Sequence, residues 1–141
     1  MFEVKVKYLS IDSETGKQKT IKEAYLIDAL SFTEAEARTI AKMESVVPMG
    51  LDVVSIAKSG YDELFLQSES DDSIYYKANV TYLNDEDSSK TTNKVLIMAE
   101  NISKAYDKLQ EKLSDSTMGF SINGVIDSKL SGVFLHVETE E

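Results

Sequence analysis

Lysines set beside a tyrosine on strand-like segments are the residues of this chain best suited to recognition chemistry. Lys5 and Lys7 alternate with Phe2, Val4, Val6 and Tyr8. A strand there sends the ammonium groups to one face and the apolar side chains to the other. A second alternating segment sends Tyr75, Lys77, Asn79 and Thr81 outward together, and Lys22 and Lys94 lie on the segments that follow each of these strands. Ammonium groups can meet phosphates while an aromatic ring stacks on a base, which is how single-strand binders are built. The expected nucleic-acid-binding set is therefore Lys5, Lys7, Lys22, Tyr75, Lys77 and Lys94, with Tyr75 stacking and the lysines on phosphates. Phe2, Tyr8, Tyr76 and Tyr82 are expected to point into the core. The plainer reading of the same residues is a solvated strand face whose lysines discourage edge pairing.

A second set is acidic: Asp62, Glu63, Glu69, Asp71 and Asp72, with Glu138, Glu140 and Glu141 at the end of the sequence. These define the alternative reading, an interaction or inhibitor module that meets a basic surface on another protein; the plainer reading of the tail is a solubilising end. Their spacing matches no EF-hand loop, and the glycine such a loop needs is missing, so no metal and no cofactor are expected. Catalysis finds little support. His136 is the single histidine and has neither a serine triad pattern nor metal-ligand spacing around it. There is no cysteine to act as nucleophile or thiolate ligand, and no glycine-rich phosphate loop. The protein is expected not to be an enzyme.

The formal net charge of −10 argues against a general DNA coat until it is partitioned. Residues 1–60 hold 8 basic and 9 acidic groups, and residues 74–137 hold 7 and 8. The excess lies in 61–73, with 5 acids and no base, and in the tail 138–141, with 3. The folded parts are thus nearly neutral and leave local basic sets on the hairpins. Any nucleic-acid affinity is expected to be modest and salt-sensitive. With 42% hydrophobic and 28% charged residues, the chain of 141 residues has the material for a packed core. No apolar run approaches the length of a membrane span, and the opening Met1-Phe2-Glu3-Val4-Lys5 is not a signal peptide, so a cytoplasmic setting is expected.

The elements that position these residues repeat. Residues 2–9 align with 76–83, 25–29 with 95–99, Met49-Gly50-Leu51 with Met118-Gly119-Phe120, and 64–66 with 133–135. The offset shrinks from 74 through 70 to 69, as shortened loops would produce. Each half reads strand, strand, helix, strand. In the first, strands are expected over 2–9, 19–29 and 51–58, with a short edge strand within 61–66. Ser31 and Glu34 form a capping box before a helix that runs to about Glu44, where Pro48 prevents continuation. In the second, strands are expected over 74–83, 92–99, 120–127 and 132–137. Asn101 caps a helix whose stripe Ile102, Ala105, Tyr106, Leu109 and Leu113 faces the core. The expected organisation is a first ββαβ repeat over 1–66, an acidic linker over 67–73, a second repeat over 74–137 and a tail over 138–141. The expected fold class is α+β, a duplicated, pseudo-twofold domain with two helices packed on antiparallel sheet. An exposed sheet edge could pair two copies.

The segment Tyr25-Leu26-Ile27-Asp28-Ala29-Leu30-Ser31-Phe32-Thr33-Glu34-Ala35-Glu36-Ala37-Arg38, with the opening strand Phe2 to Tyr8 and Tyr61-Asp62-Glu63-Leu64-Phe65, resembles an uncharacterised family of small proteins from gut Bacteroidetes and their phages, known only as a domain of unknown function. The likeness covers most of the chain. It is specific in the Leu-Ser-Phe-Thr-Glu-Ala-Glu-Ala run and diffuse in the second half. The resemblance implies a phage or phage-derived accessory protein, near replication genes, where a single-stranded-DNA-binding role would fit. It implies no catalytic residues.

Overall fold

The computed structural model describes residues 1–47, 50–68, 70–84, 86–115 and 119–135. Pro48, Met49, Glu69, Asp85, Met118, His136 and the tail with Glu138, Glu140 and Glu141 lie outside the described residues. The chain is α+β, with two helices and two mixed sheets of four strands.

Alternation builds the first hairpin. β1 (Phe2–Ile11) buries Phe2, Val4 and Val6, and β2 (Gln18–Ile27) pairs with it from Phe2↔Ile27 to Ile11↔Gln18. β2 stops at Ile27, short of the expected residue 29, because Ser31 already starts α1 (Phe32–Glu44). Ser31 Oγ accepts from Glu34 N at 3.1 Å, and Glu34 Oε2 accepts from Leu30 N at 3.0 Å. The glutamate therefore reaches one residue further back than a capping box requires. Ala35, Thr39 and Met43 turn inward, and Thr39 returns its hydroxyl to the Ala35 carbonyl at 2.7 Å. β3 (Asp52–Lys58) adds to the free side of β1.

The second hairpin uses the same geometry. β5 (Ile74–Leu83) and β6 (Lys90–Ala99) pair from Ile74↔Ala99 to Leu83↔Lys90. α2 (Ile102–Leu113) opens on Asn101, whose side chain accepts from Lys104 N at 2.8 Å. Only Ala105, Leu109 and Leu113 of the expected stripe are buried; Ile102 is 53% exposed and Tyr106 43%. A four-residue spacing already fills the contact with the sheet, which leaves Ile102 and Tyr106 on the flank of the helix. β7 (Gly119–Asp127) pairs with β5.

The two remaining strands depart from the expected organisation. β4 (Glu63–Phe65) runs parallel to β6, giving the order β4-β6-β5-β7. β8 (Gly132–Phe134) runs parallel to β2, giving β3-β1-β2-β8. Both sheets are therefore mixed, where antiparallel sheet was expected. One compact unit comprises Met1–Ser59 with Leu130–Glu141, and the other comprises Gly60–Lys129. The expected repeats 1–66 and 74–137 differ from this division at the two short strands, since β4 pairs with β6 within the second unit and β8 with β2 within the first. The segment expected as a linker belongs to the second unit, where the Lys108 ammonium donates to the carbonyls of Gln67 and Met98.

In the first unit the core is Phe2, Val4, Val6, Tyr25 and Ile27 under Ala35 and Met43, with Phe134 against it. The Phe134 ring stacks on Tyr25 at 5.0 Å, and a Cβ at Gly132 would come within 3.1 Å of the same ring. Glycine at 132 thus lets the β8 backbone lie against Tyr25. Phe134→Ala is expected to cost about 1–3 kcal/mol, below the full range for a buried phenylalanine because Phe134 keeps some exposure. The loss should appear as reduced amide-exchange protection at residues 25–27, and unchanged protection there would contradict the pairing of β8 with β2. In the second unit Tyr76, Ala78, Val80, Val95 and Ile97 pack under Ala105, Leu109 and Leu113. The edge strands β3 and β7 each carry a bulge, at Val54 and Asn123, a device that discourages edge-to-edge pairing.

Candidate nucleic-acid interface

The register of the first hairpin brings half of the expected set together. Lys7 lies directly opposite Lys22, and Lys5 lies two residues along β1 opposite Ala24. All three lysines are exposed on the sheet face turned away from α1. Lysines two apart on a strand are about 6.8 Å apart along it, and opposed ones about 5 Å across. Like charges in opposed positions weaken a strand pair by a few tenths of a kcal/mol or more. A partial counterweight comes from Asp52, 4.0 Å from the Lys7 ammonium, with both side chains largely exposed. Such a pair contributes little and is easily displaced by another anion. Among the described residues of this sheet no aromatic ring shares this face: Phe2 and Tyr8 lie on the other side, with the core.

The other half of the set sits in the second unit and is more committed. Tyr75, Lys77 and Asn79 point from one face of β5, with Met98, Leu96 and Lys94 opposite them. Lys94 holds its ammonium 4.1 Å from the centre of the Tyr61 ring, and its backbone N–H donates to Asp62 Oδ2 at 2.8 Å. Tyr75 and Lys77 are half-buried. The ring of Tyr75 therefore offers less stacking surface than its place on an outward face suggested.

The acidic set does not form a single patch among the described residues. Asp62 accepts from Lys94, Glu63 lies in β4, and Asp71 and Asp72 are exposed in a turn where Asp72 N donates to Ser70 Oγ at 3.2 Å. Glu69, Glu138, Glu140 and Glu141 lie outside the described residues.

Two arrangements escaped the sequence reading. The first is Glu23, half-buried on the core side of β2, whose two carboxylate oxygens accept from the hydroxyls of Tyr8 and Tyr25. Its signal was the alternation of β2, which sets Glu23 on the face of Tyr25 and Ile27. Burial, then the hydrogen bond to Glu23, pushes the Tyr25 phenol far above its ordinary range; the bond to Glu23 raises Tyr8 as well. The folded chain then holds phenol protons that the unfolded chain releases above about pH 10. Stability should be fully present below that pH and fall as pH rises beyond it. Urea midpoints at about pH 9 and about pH 11 should show this fall, with a smaller one in Tyr25→Phe. Equal falls in both proteins would contradict the assignment.

The second is a basic row at four-residue spacing on α2. Lys104 meets Glu100 at 2.6 Å, Lys108 ties down the Met98 carbonyl at 2.9 Å, and Lys112 lies 5.3 Å over the Phe65 ring. The Lys104 ammonium and the Ser70 hydroxyl hold the Glu100 carboxyl below the usual carboxylate range. In the first unit Arg38 plays the part of Lys108, donating to the Asp28 carbonyl and meeting Glu34 at 2.6 Å. Lys108 and Arg38 fasten strand ends to the helices and Lys104 is paired with Glu100, which leaves these three less free for an external anion than Lys5 or Lys22.

Among the described residues no group of three or more histidine, cysteine, aspartate or glutamate side chains could hold a metal ion, and no helix is long and apolar enough to cross a membrane. β8 pairs with β2 in the first unit, so residues near both ends of the sequence share a sheet there, and a family model, Domain of unknown function (DUF4494), matches residues 1–136. The chain belongs to this family. No curated protein matches the sequence. Membership in DUF4494 spans both hairpins, both helices and both short strands, so the lysine face lies within the family domain.

Proposed function

We propose that this DUF4494 protein is a non-enzymatic accessory protein that binds single-stranded nucleic acid weakly, through the sheet face that carries Lys5, Lys7 and Lys22. The observation that supports this most is the Lys7↔Lys22 register, with Lys5 alongside and all three ammonium groups exposed. The fold tolerates a like-charge pair at a position where a neutral residue would stabilise the hairpin. A phosphate backbone would relieve that repulsion and displace Asp52 from Lys7. Because no described ring of this sheet shares the face, binding would be governed by phosphate contacts and be sequence-tolerant. Lys77, Lys94 and Tyr75 play a lesser part in this reading, given the hold of Tyr61 and Asp62 on Lys94.

The phage-type setting suggested by the resemblance belongs to the same proposal, as does an origin by internal duplication. Support for duplication comes from register. Phe2↔Ile27 and Tyr76↔Ile97 correspond under the offsets read from the sequence, the bulges follow Lys5 and Asn79, and both parallel pairs keep the same alignment.

The test is fluorescence anisotropy of a labelled single-stranded oligonucleotide at about 50 and about 200 mM salt. Three phosphate contacts to a single strand predict a salt slope near −2, a weakening of about 18-fold over that range. No binding at the lower salt, or binding indifferent to salt, would contradict the reading.

A further inference from the structure

We propose that the cleft at the C-terminal end of α2, lined by Glu63, Phe65, Tyr82, Asn93 and Lys112, binds a small zwitterion, an α-amino acid with an apolar side chain. It measures about 590 Å³, and Thr91 and Leu113 complete its lining. That volume lies within the range of small-molecule sites. Its walls carry one cation and one carboxylate, a phenol, an amide and a hydroxyl, over an apolar floor of Phe65 and Leu113.

The first hairpin shows what this position in the fold can accommodate. There Tyr8 and Tyr25 donate to the Glu23 carboxylate, so the site is filled from within. In the second hairpin the register puts Tyr82 where Tyr8 stands, Asn93 where Glu23 stands and Val95 where Tyr25 stands. The internal carboxylate is gone and a cleft remains. Among the described residues, the side chains of Glu63, Tyr82, Thr91 and Asn93 make no hydrogen bond or ion pair, and Lys112 makes only its contact with the Phe65 ring. Unpartnered polar groups converging on a concave surface are what a polar ligand needs.

The chemistry of the walls selects the ligand. A carboxylate can take the place of the Glu23 side chain, receiving the Tyr82 hydroxyl, the Asn93 amide and the Lys112 ammonium. Burial and the nearby Glu63 keep the Tyr82 phenol protonated, hence a donor. Glu63 would repel a simple anion but attracts an ammonium group, as do the last carbonyls of α2. An apolar side chain then lies on Phe65 and Leu113.

The test is a two-dimensional amide NMR titration of the full chain with L-leucine, N-acetyl-L-leucine and L-leucinamide. Leucine should give saturable shifts at residues 63–65, 82, 91–93 and 112, half-complete at or below about 1 mM. Loss of either charge from the ligand, or Lys112→Met or Tyr82→Phe in the protein, should weaken binding by about 10-fold. The spectra of the variants also report whether each remains folded. No saturable shift with leucine at about 20 mM would overturn the proposal, as would equal affinity for all three compounds or for both variants.

Discussion

Leu109→Ala should destabilise the protein by about 2–5 kcal/mol, the largest effect expected of any single truncation in α2. Leu109 is fully buried between Ala105 and Leu113 and packs in the cluster with Val80, Val95 and Ile97. Its neighbours on the helix cannot compensate, since Ala105 is already small and Leu113 sits at the last turn. A loss of that size is a large share of the 5–15 kcal/mol or so that holds a domain folded. The urea midpoint should fall by roughly 1–3 M. Amide protection at 76–80 and 95–97 should fall with it. The corresponding position in α1 is Thr39, whose hydroxyl bonds to the Ala35 carbonyl at 2.7 Å. Thr39→Ala removes fewer apolar atoms and should cost less. Near-equal losses for the two variants would mean that the helices do not anchor their sheets as described.

The sequence carried these core positions because one face of each hairpin strand is buried, and a period of two then marks Phe2, Val4 and Val6, and Tyr76, Ala78 and Val80. Tyr25-Leu26-Ile27 and Val95-Leu96-Ile97 are different. All six residues are buried, so these stretches lose the alternation and read as strand only through their β-branched and aromatic content. The pairing of β4 and β8 was not legible. Leu64-Phe65 and Val133-Phe134 signal a strand, but a three-residue strand takes its partner from contacts far away in sequence, which no local pattern encodes. The expected repeats therefore ended on strands that complete the other unit.

The candidate site was legible where it depends on alternation and hidden where it depends on distant partners. Lys5 and Lys7 share a face by periodicity alone. The Lys7↔Lys22 opposition follows from a hairpin register that the loop 12–17 sets. The engagement of Lys94 was not visible, because Tyr61 and Asp62 reach it from a segment more than thirty residues earlier. The cleft beside Lys112 was missed for the same reason, since β4, β5, β6 and α2 each supply part of its wall.

Reversing the lysine face should have the largest functional effect. In Lys5→Glu/Lys7→Glu/Lys22→Glu every phosphate contact becomes a repulsion and the opposed pair remains like-charged; Lys7→Glu also turns its contact with Asp52 into a repulsion, a small cost because both side chains are largely exposed. Asp52→Asn should act in the other direction, freeing Lys7 from its 4.0 Å partner and tightening binding. Net charge alone also repels nucleic acid, so Lys19→Glu/Lys42→Glu/Lys58→Glu, which changes three exposed lysines of the same unit that lie off this face, is the matched control. The decisive measurement is oligonucleotide anisotropy at about 50 mM salt with the native chain and these two triple variants. The lysine-face variant should bind at least about 100-fold more weakly than the native chain and lose its salt slope, while the control weakens by no more than about 5-fold. Equal weakening in both triple variants would show that net charge, and not the face formed by Lys5, Lys7 and Lys22, governs the contact.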